Sequence, residues 1–359
     1  MEYTPLCHNG LMGPSQSNVF KNALLSKLSR PAMRLLKLKL YMVGTVAFLI
    51  ALTTLFFAII LQLAGAPLLF VIPMVVTFNL IQWLIAPYLI EMIYGVHEAP
   101  PHRYPRLHRI VERLSLRSGI PKPKVMIAHI PIPNAFAYGS PISGSRVAVT
   151  EKLLDVLEEE EVEAVLGHEL GHLKHRDVHI MMFASVLPAI FYYLAYSLMM
   201  SAYYGGYRDR EGGNAGLALL IGMASLVLYY VVSLVVLYLS RLREYYADMH
   251  SVSVVDDGAR KLSEALAKIV AYTGRYASRR RMDPGVGAFK ALFIADPDTS
   301  RNDAVRLARY GMNKDMQLVM SIASRRLTWA DRLLEIFSTH PNIVKRIRAL
   351  LELQRLPTP

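Results

Sequence analysis

Two histidines in the stretch HELGH have the residue type and the spacing of a zinc-binding pair. His168 and His172 are four residues apart, so on an α-helix both rings lie on the same face. Glu169 lies about 100° further round such a helix. Neutral imidazoles bind zinc, and a carboxylate beside the open coordination position can take a proton from the attacking water. The pattern predicts a hydrolytic zinc centre, although a solvated helix face would use the same residue types.

The third zinc ligand must come from elsewhere, because a catalytic zinc ion takes three protein ligands and leaves one position for water. The segment SRLREYYADMH offers Glu244, and Asp248 follows one helical turn later. Asp248 is spaced to accept the second ring N–H of a ligating histidine and so to fix its tautomer. An ordinary charged helix beside a membrane remains the alternative interpretation of this segment, and His250 and His175 remain weaker rivals for the third position.

The composition is typical of a membrane protein. The chain has 359 residues, of which 53% are apolar, and its mean hydropathy of +0.29 is high for a soluble protein. The single cysteine, Cys7, cannot close an intrachain disulfide, so any metal must be held by His, Asp or Glu. The net charge of +12 lies mostly beside apolar runs and accompanies no nucleic-acid motif, so we expect no nucleic-acid partner.

Four apolar segments form two pairs. The first pair occupies 41–90, with Gly65 and Pro67 near its middle, and the second occupies 180–240 around the polar turn GGYRDREGGNA. Each segment is longer than the roughly 20 residues that cross the hydrocarbon core. We therefore predict four transmembrane helices in two hairpins. For the second pair, a buried helical hairpin of a soluble core remains the alternative.

The basic residues beside the apolar segments predict the orientation in the membrane. Lysines and arginines cluster before the first segment, after the second, before the third and after the fourth, whereas the two opposite loops have no excess of them. The basic side should be cytoplasmic. Both termini and the polar regions 91–179 and 241–359 then lie in the cytoplasm. Because the second hairpin leaves this face and returns to it, Glu244 can reach the zinc helix.

The polar regions predict a mainly α, α+β unit. Region 91–179 contains a helical pattern in PRLHRIVERLSLRSG, three short strands in KVMIAH, NAFAYG and SRVAVT, and then the zinc helix. Region 241–359 contains the candidate third ligand and a basic insertion at 274–315, while 1–40 is a basic N-terminal segment. The predicted fold class is an integral membrane α-helical protein with a cytoplasmic mainly α, α+β domain.

Several motifs together resemble one protein family. The two hairpins, HELGH just before the second hairpin and REYYAD just after it resemble the HtpX family of membrane-bound zinc metallopeptidases, which are related to the CAAX prenyl proteases. PIPNAFAYG resembles the edge-strand motif of that family, and STHPNIVKRI resembles its C-terminal His-Pro segment. The resemblance covers about 35–270 and resumes near 330–350.

The resemblance implies a zincin-like protease domain with one Zn²⁺ ion per chain and roles for nine residues. His168, His172 and Glu244 would bind the metal, Glu169 and His340 would be catalytic, Asp248 would support a ligand, and Asn134, Ala135 and Arg346 would hold the substrate, with His340 and Arg346 near the developing oxyanion. The implied substrates are polypeptides, membrane proteins above all, in quality control at the cell membrane. The alternatives are a prenyl-protein protease, whose family has more spans, and a metal-regulated transporter or receptor, which usually buries charges in its spans.

Overall fold

A computed structural model describes residues 71–205, 215–279 and 315–354 of the chain. The predicted N-terminal segment, the first span of the first hairpin and the loop around 208–211 lie outside the described residues. Most of the predicted insertion at 274–315 also lies outside them.

Two long helices form the second predicted hairpin. Helix α5 spans Asp177–Gly205 and helix α6 spans Ala215–Val254, and they pack along each other through Phe191, Val232 and Leu239. Both are long and apolar enough to cross a membrane. Helix α6 does not end at the predicted membrane border near 240, because it continues without a break for 14 more residues to Val254 and carries Glu244 and Asp248 on its polar end.

The first helix of the described chain, α1, spans Val71–Tyr94 and contains Pro87. It packs against α5 and against the sheet, and it corresponds to the second span of the first predicted hairpin. Within the described ranges, α5 and α6 are the two helices that are long and apolar enough to span a membrane. Helix α1 contributes a shorter apolar stretch, Trp83–Tyr94. The predicted count of four spans therefore stays a prediction.

One four-stranded sheet lies beside the helix that carries HELGH, which we call the zinc helix. Its strands are β1 (His97–Glu98), β2 (Lys124–Ala128), β3 (Ala135–Ser140) and β4 (Gly144–Thr150), in the order β1-β2-β4-β3. Strand β4 runs parallel to β2 and antiparallel to β3. The three predicted strands are present, whereas β1 is too short to show a period of alternating residues. Because β3 is the last strand, one of its edges is free to face the zinc helix.

The other helices surround this sheet and the end of α6. They are α2 (Pro105–Ser118), α3 (Glu151–Val156), α4 (Glu159–Lys174), α7 (Gly258–Arg279), α8 (Asp315–Ala323), α9 (Trp329–Ile336) and α10 (Ile343–Gln354). Helix α4 begins with a capping box formed by Glu158 and Glu161. It lies between β3 on one side and α6 and α7 on the other. Leu166 and Leu170 of α4 are fully buried in the main core, so the zinc helix is a central and well-fixed element.

Candidate active site

Helices α4 and α6 bring the three candidate zinc ligands together. The ligand atoms of His168, His172 and Glu244 all lie within 4.8 Å of one another. The Nε2 atom of His168 lies 3.6 Å from Oε2 of Glu244, and Nε2 of His172 lies 3.4 Å from Oε1 of the same carboxylate. The sequence separates these residues widely, and the hairpin of α5 and α6 returns the chain to the same place.

Two glycines of the zinc helix make this approach possible. In LGHELGH, each candidate histidine ligand follows a glycine, and both glycines face α6 and the turn after it. A Cβ atom at Gly171 would lie 3.2 Å from Cα of Ala247, and one at Gly167 would lie 2.9 Å from Cγ2 of Val255. Larger side chains at these positions would separate the two helices. The missing side chains therefore allow Glu244 to come within reach of both histidines.

The ligand group fits a zinc ion in its chemistry and its dimensions. Two imidazoles and one carboxylate are a known donor set of catalytic zinc, which keeps a fourth position for water. Ligand atoms about 2.0 to 2.1 Å from a tetrahedral ion lie about 3.3 to 3.4 Å apart. The distances of 3.4 and 3.6 Å from the histidines to the two oxygens of Glu244 are close to this value.

A carboxylate lies behind each histidine. The Nδ1 atom of His168 lies 2.9 Å from Oδ1 of Asp248, which is the position that the sequence predicts for Asp248. The Nδ1 atom of His172 lies 2.7 Å from Oδ2 of Asp177 at the start of α5. Such contacts fix the tautomer and ring orientation of a ligating histidine, leaving Nε2 for the metal. Sequence reasoning did not identify Asp177.

The surroundings of the zinc helix shift the pKa values of two of its side chains. Burial raises the pKa of Glu169, which increases the affinity of this carboxylate for a proton. Burial alone lowers the pKa of His172, but the hydrogen bonds to Asp177 and Glu244 outweigh it and raise the pKa to about 10. Because a proton competes with zinc for this ring, the affinity for the ion should rise with pH.

The C-terminal motif reaches the site from the opposite side, but its two residues lie in different places. His340 lines the cavity, and its Nδ1 atom lies 3.2 Å from Oε2 of Glu244. Arg346 is buried, donates from Nε and Nη2 to Asp248 at 2.9 and 2.6 Å, and has Nη1 3.1 Å from Glu244. Arg346 is absent from the cavity lining, and its contacts are with the two carboxylates. The contact with substrate that the resemblance implies for it stays a prediction.

The free edge of β3 faces Glu169. The N–H of Ala137 donates to Oε2 of Glu169 at 2.8 Å, so this residue points away from β4. Because direction alternates along a strand, Ala135 and Gly139 share this orientation. Asn134 instead faces β4, where its N–H donates to Oγ1 of Thr150. Asn134 and Ala135 are both buried, and the cavity is lined by 136–139. The partly exposed residues of this edge, Ala137 and Gly139, lie two and four residues beyond Ala135.

A cavity of about 280 Å³ opens over these groups. Its polar side contains His168, Glu169, His172, Glu244 and His340, and its β3 side contains residues 136–139. Helices α1 and α5 complete the wall with Trp83, Ala86, Pro87, Ile90 and Met181. The cavity thus combines an acid–base and metal-binding side with an apolar side made by helices of the predicted membrane region.

Comparisons with known proteins agree with this geometry. Residues 101–354 match the family model described as peptidase family M48. This chain belongs to peptidase family M48. A "Protease HtpX homolog" of Thermoplasma acidophilum is 39% identical over 297 residues, which cover 81% of this chain and 87% of that protein. Another from Aeropyrum pernix is 38% identical over 274 residues, covering 76% and 82%. A third, "Protease HtpX homolog 2" of Saccharolobus solfataricus, is 44% identical over 194 residues, covering 53% and 60%.

The predicted resemblance to HtpX proteases is therefore confirmed. The relatives are proteases, which does not favour a metal-regulated transporter or receptor, and their printed names do not favour a prenyl-protein protease. The rival ligands are also engaged elsewhere. Nε2 of His250 lies 2.9 Å from the hydroxyl of Ser118, and the rings of His175 and His250 are in edge contact at 5.4 Å. Neither belongs to the group of convergent ligand atoms.

Proposed function

We propose that this member of the M48 family is a membrane endopeptidase that uses one zinc ion, held by His168, His172 and Glu244, to hydrolyse peptide bonds. The observation that carries the proposal is the convergence of these three side chains at zinc-ligand separations beside the buried Glu169. Asp248 and Asp177 hold the two histidines from behind, and Arg346 supports Glu244.

The residues of the cavity then have distinct tasks. Zinc supplies a Lewis acid that polarises the scissile carbonyl and lowers the pKa of water. Glu169 accepts the proton of the attacking water at its carboxylate and returns it to the nitrogen of the leaving amine as the peptide bond breaks. Nε2 of His340 is buried in the cavity and has no hydrogen-bond partner among the described residues. When protonated, this atom can donate to the carbonyl oxygen as negative charge develops there.

An assay with unfolded polypeptide tests the activity. The purified protein, in detergent or vesicles, should cleave casein or an unfolded membrane protein. A chelator should abolish cleavage and added zinc should restore it. Cleavage that survives complete removal of metal would rule out the proposed mechanism, and a metal-loaded protein without peptidase activity would rule out the function.

We also propose that the substrate lies as an extended strand along the free edge of β3. An exposed edge can pair with a peptide backbone without reading its sequence, and the edge residues 137–139 lie in the cavity wall beside Glu169. The apolar wall made by α1 and α5 suits membrane or misfolded proteins, whose segments are apolar. Such substrates would be cut in proteolytic quality control at the cytoplasmic face.

Substitution of proline on this edge separates strand pairing from folding. Ala137→Pro removes an N–H that points away from β4, so no ladder bond should be lost. Because that N–H donates to Glu169, the rate on a very short peptide measures this separate loss. We expect the ratio of kcat/KM for an extended peptide to that for a very short one to fall about 10-fold, the value of roughly one backbone hydrogen bond. Ala137→Gly is the control, since it changes the side chain at the same position and keeps the backbone N–H. Equal ratios in wild type and Ala137→Pro, with both proteins folded, would contradict the pairing.

The proposed location is the cell membrane, crossed several times, with the active site and both termini in the cytoplasm. Helices α5 and α6 support it by length and composition, and the basic residues beside them support the orientation. A reporter fused within 208–211 should therefore lie outside the cytoplasm, while fusions at 100 and at 359 should lie inside. A cytoplasmic reporter at 208 would contradict the hairpin.

A further inference from the structure

Helix α9 turns its apolar side away from the protein. None of the residues of this helix, WADRLLEI, is buried. Trp329 is 75% exposed, Leu334 is 56% exposed, and Phe337 just after the helix is 70% exposed. Leu333 and Ile336 are also exposed. Trp329, Leu333 and Phe337 are spaced by four residues and lie on one face. Five large apolar side chains within nine residues form an unusual surface for contact with water.

The polar side of the same helix faces the protein. Asp331 accepts a hydrogen bond from Nη2 of Arg325 at 2.7 Å, and Glu335 pairs with Lys345 of α10. Both acids are partly buried, whereas the apolar residues are exposed. A surface helix of a soluble protein has the reverse arrangement, with its apolar stripe against the core. The ion pairs therefore hold α9 in an orientation that presents its apolar face to the surroundings.

The end of α9 is tied to the border of the apolar part of α6. Arg241 is the first charged residue after the apolar run 216–240. Its Nη1 atom donates to the carbonyl oxygens of Ile336 and Ser338 at 3.1 and 2.7 Å. Its guanidinium also lies 5.9 Å from the ring centre of Tyr238. The C-terminal end of α9 thus lies beside the point at which the proposed membrane span of α6 ends.

We propose that α9 lies in the interface of the lipid bilayer, with Trp329, Leu333 and Phe337 between the headgroups and the acyl chains. The proposal rests on the membrane arrangement given under the proposed function. Lipid is the occupant because Arg241 joins the C-terminal end of α9 to the end of the apolar run of α6, which the proposed function places at the membrane surface. Tryptophan is enriched at that level of a membrane. The exposed Arg326 and Arg332 beside it suit anionic headgroups.

The consequence concerns the active site. Phe337 is followed within three residues by His340, which lines the cavity, and α10 then carries Arg346. A membrane contact at α9 would therefore set the height of this C-terminal wall above the bilayer. It would hold the cavity close to the surface at which a membrane substrate emerges.

Spin labels can locate the face directly. With Cys7→Ser as background, a nitroxide would be placed by Leu333→Cys in the full chain in phosphatidylcholine–phosphatidylglycerol vesicles. The readout is the ratio of its accessibility to oxygen, which concentrates in lipid, to its accessibility to a water-soluble nickel complex. Val227→Cys on α6, a position 62% exposed, is the lipid control, and Leu116→Cys on α2, 77% exposed, is the water control. We expect the ratio at 333 to exceed that at 116 several-fold and to lie below or near that at 227.

Three outcomes are informative. A label at 333 as accessible to nickel as the one at 116 would overturn the proposal. A strongly immobilised label that neither reagent reaches would also overturn it, because another protein segment would then cover α9. If the label at 227 is itself in water, the proposed membrane span of α6 is wrong, and the proposal for α9 is then wrong as well. This outcome differs from a label at 333 in water while the label at 227 is in lipid, which contradicts only the proposal for α9. Phe337→Cys provides a second position on the same face should Leu333→Cys fold poorly.

Discussion

Glu169→Gln is expected to lower kcat/KM by at least the roughly 10²- to 10⁴-fold that a general base contributes, while the protein still binds one zinc ion. Glutamine has the same size but does not accept a proton at neutral pH. Its side-chain oxygen can still accept the hydrogen bond that the N–H of Ala137 donates at 2.8 Å, so its position should be kept. Glu169 is not part of the convergent ligand group. Peptidase kinetics and elemental analysis of zinc, made on the same preparation, measure both quantities.

Glu159→Gln is the matched control for this variant. It makes the same chemical change on the same helix, but Glu159 pairs with Arg106 at the surface, at 3.3 Å, outside the active-site cavity. An ion pair at the surface contributes only about 0 to 1 kcal/mol to stability, so zinc content and rate should stay close to wild type. The base assignment would be wrong if Glu169→Gln kept the full rate. Loss of zinc together with the rate would instead make Glu169 a ligand.

The part of the site that could be predicted follows from local geometry and from topology. The pairing of His168 and His172 depends only on the helical repeat. Glu244 was accessible to prediction because an apolar hairpin has to return to the face that it leaves. Asp248 followed from Glu244 by one helical turn. The strands of the sheet were visible as short apolar runs, and their edge position was implied by the family resemblance.

The rest depended on contacts that no short pattern encodes. Asp177 reaches His172 because the chain turns sharply at Arg176, a non-glycine residue with a φ of 54°, before α5 begins. The sequence gives no sign of that backbone conformation. Arg346 could be noticed as a basic residue near a family motif, but its pairing with Asp248 and Glu244 depends on how α10 packs on α6. The exposed register of β3 likewise depends on which residues bond to β4, because a shift of one residue exchanges the two edges.

Glu244→Ala is expected to give the opposite pattern to Glu169→Gln, with loss of metal as the primary effect. It removes one of three protein ligands, so zinc affinity should fall by more than the about 10- to 100-fold that loss of an outer supporting group causes. It also leaves Arg346 and His340 without the carboxylate that lies 3.1 and 3.2 Å from them. Zinc content at limiting metal and peptidase rate should fall together, and excess zinc should restore the rate only in part. Titration with a competing chelator measures the affinity.

Glu112→Ala is the control, because it makes the same truncation on α2 at an exposed residue that pairs with Lys122. It should leave zinc binding unchanged. Thermal unfolding of both variants without metal separates a lost ligand from a lost fold. If the metal site depends on Glu244, added zinc should raise the unfolding temperature of wild type and Glu112→Ala more than that of Glu244→Ala. The reason is that a ligand stabilises a protein only by binding its folded state. If Glu244→Ala keeps full zinc and the full rate, the third ligand lies elsewhere. His340, whose Nδ1 atom is 3.2 Å from Oε2 of Glu244, then becomes the first candidate.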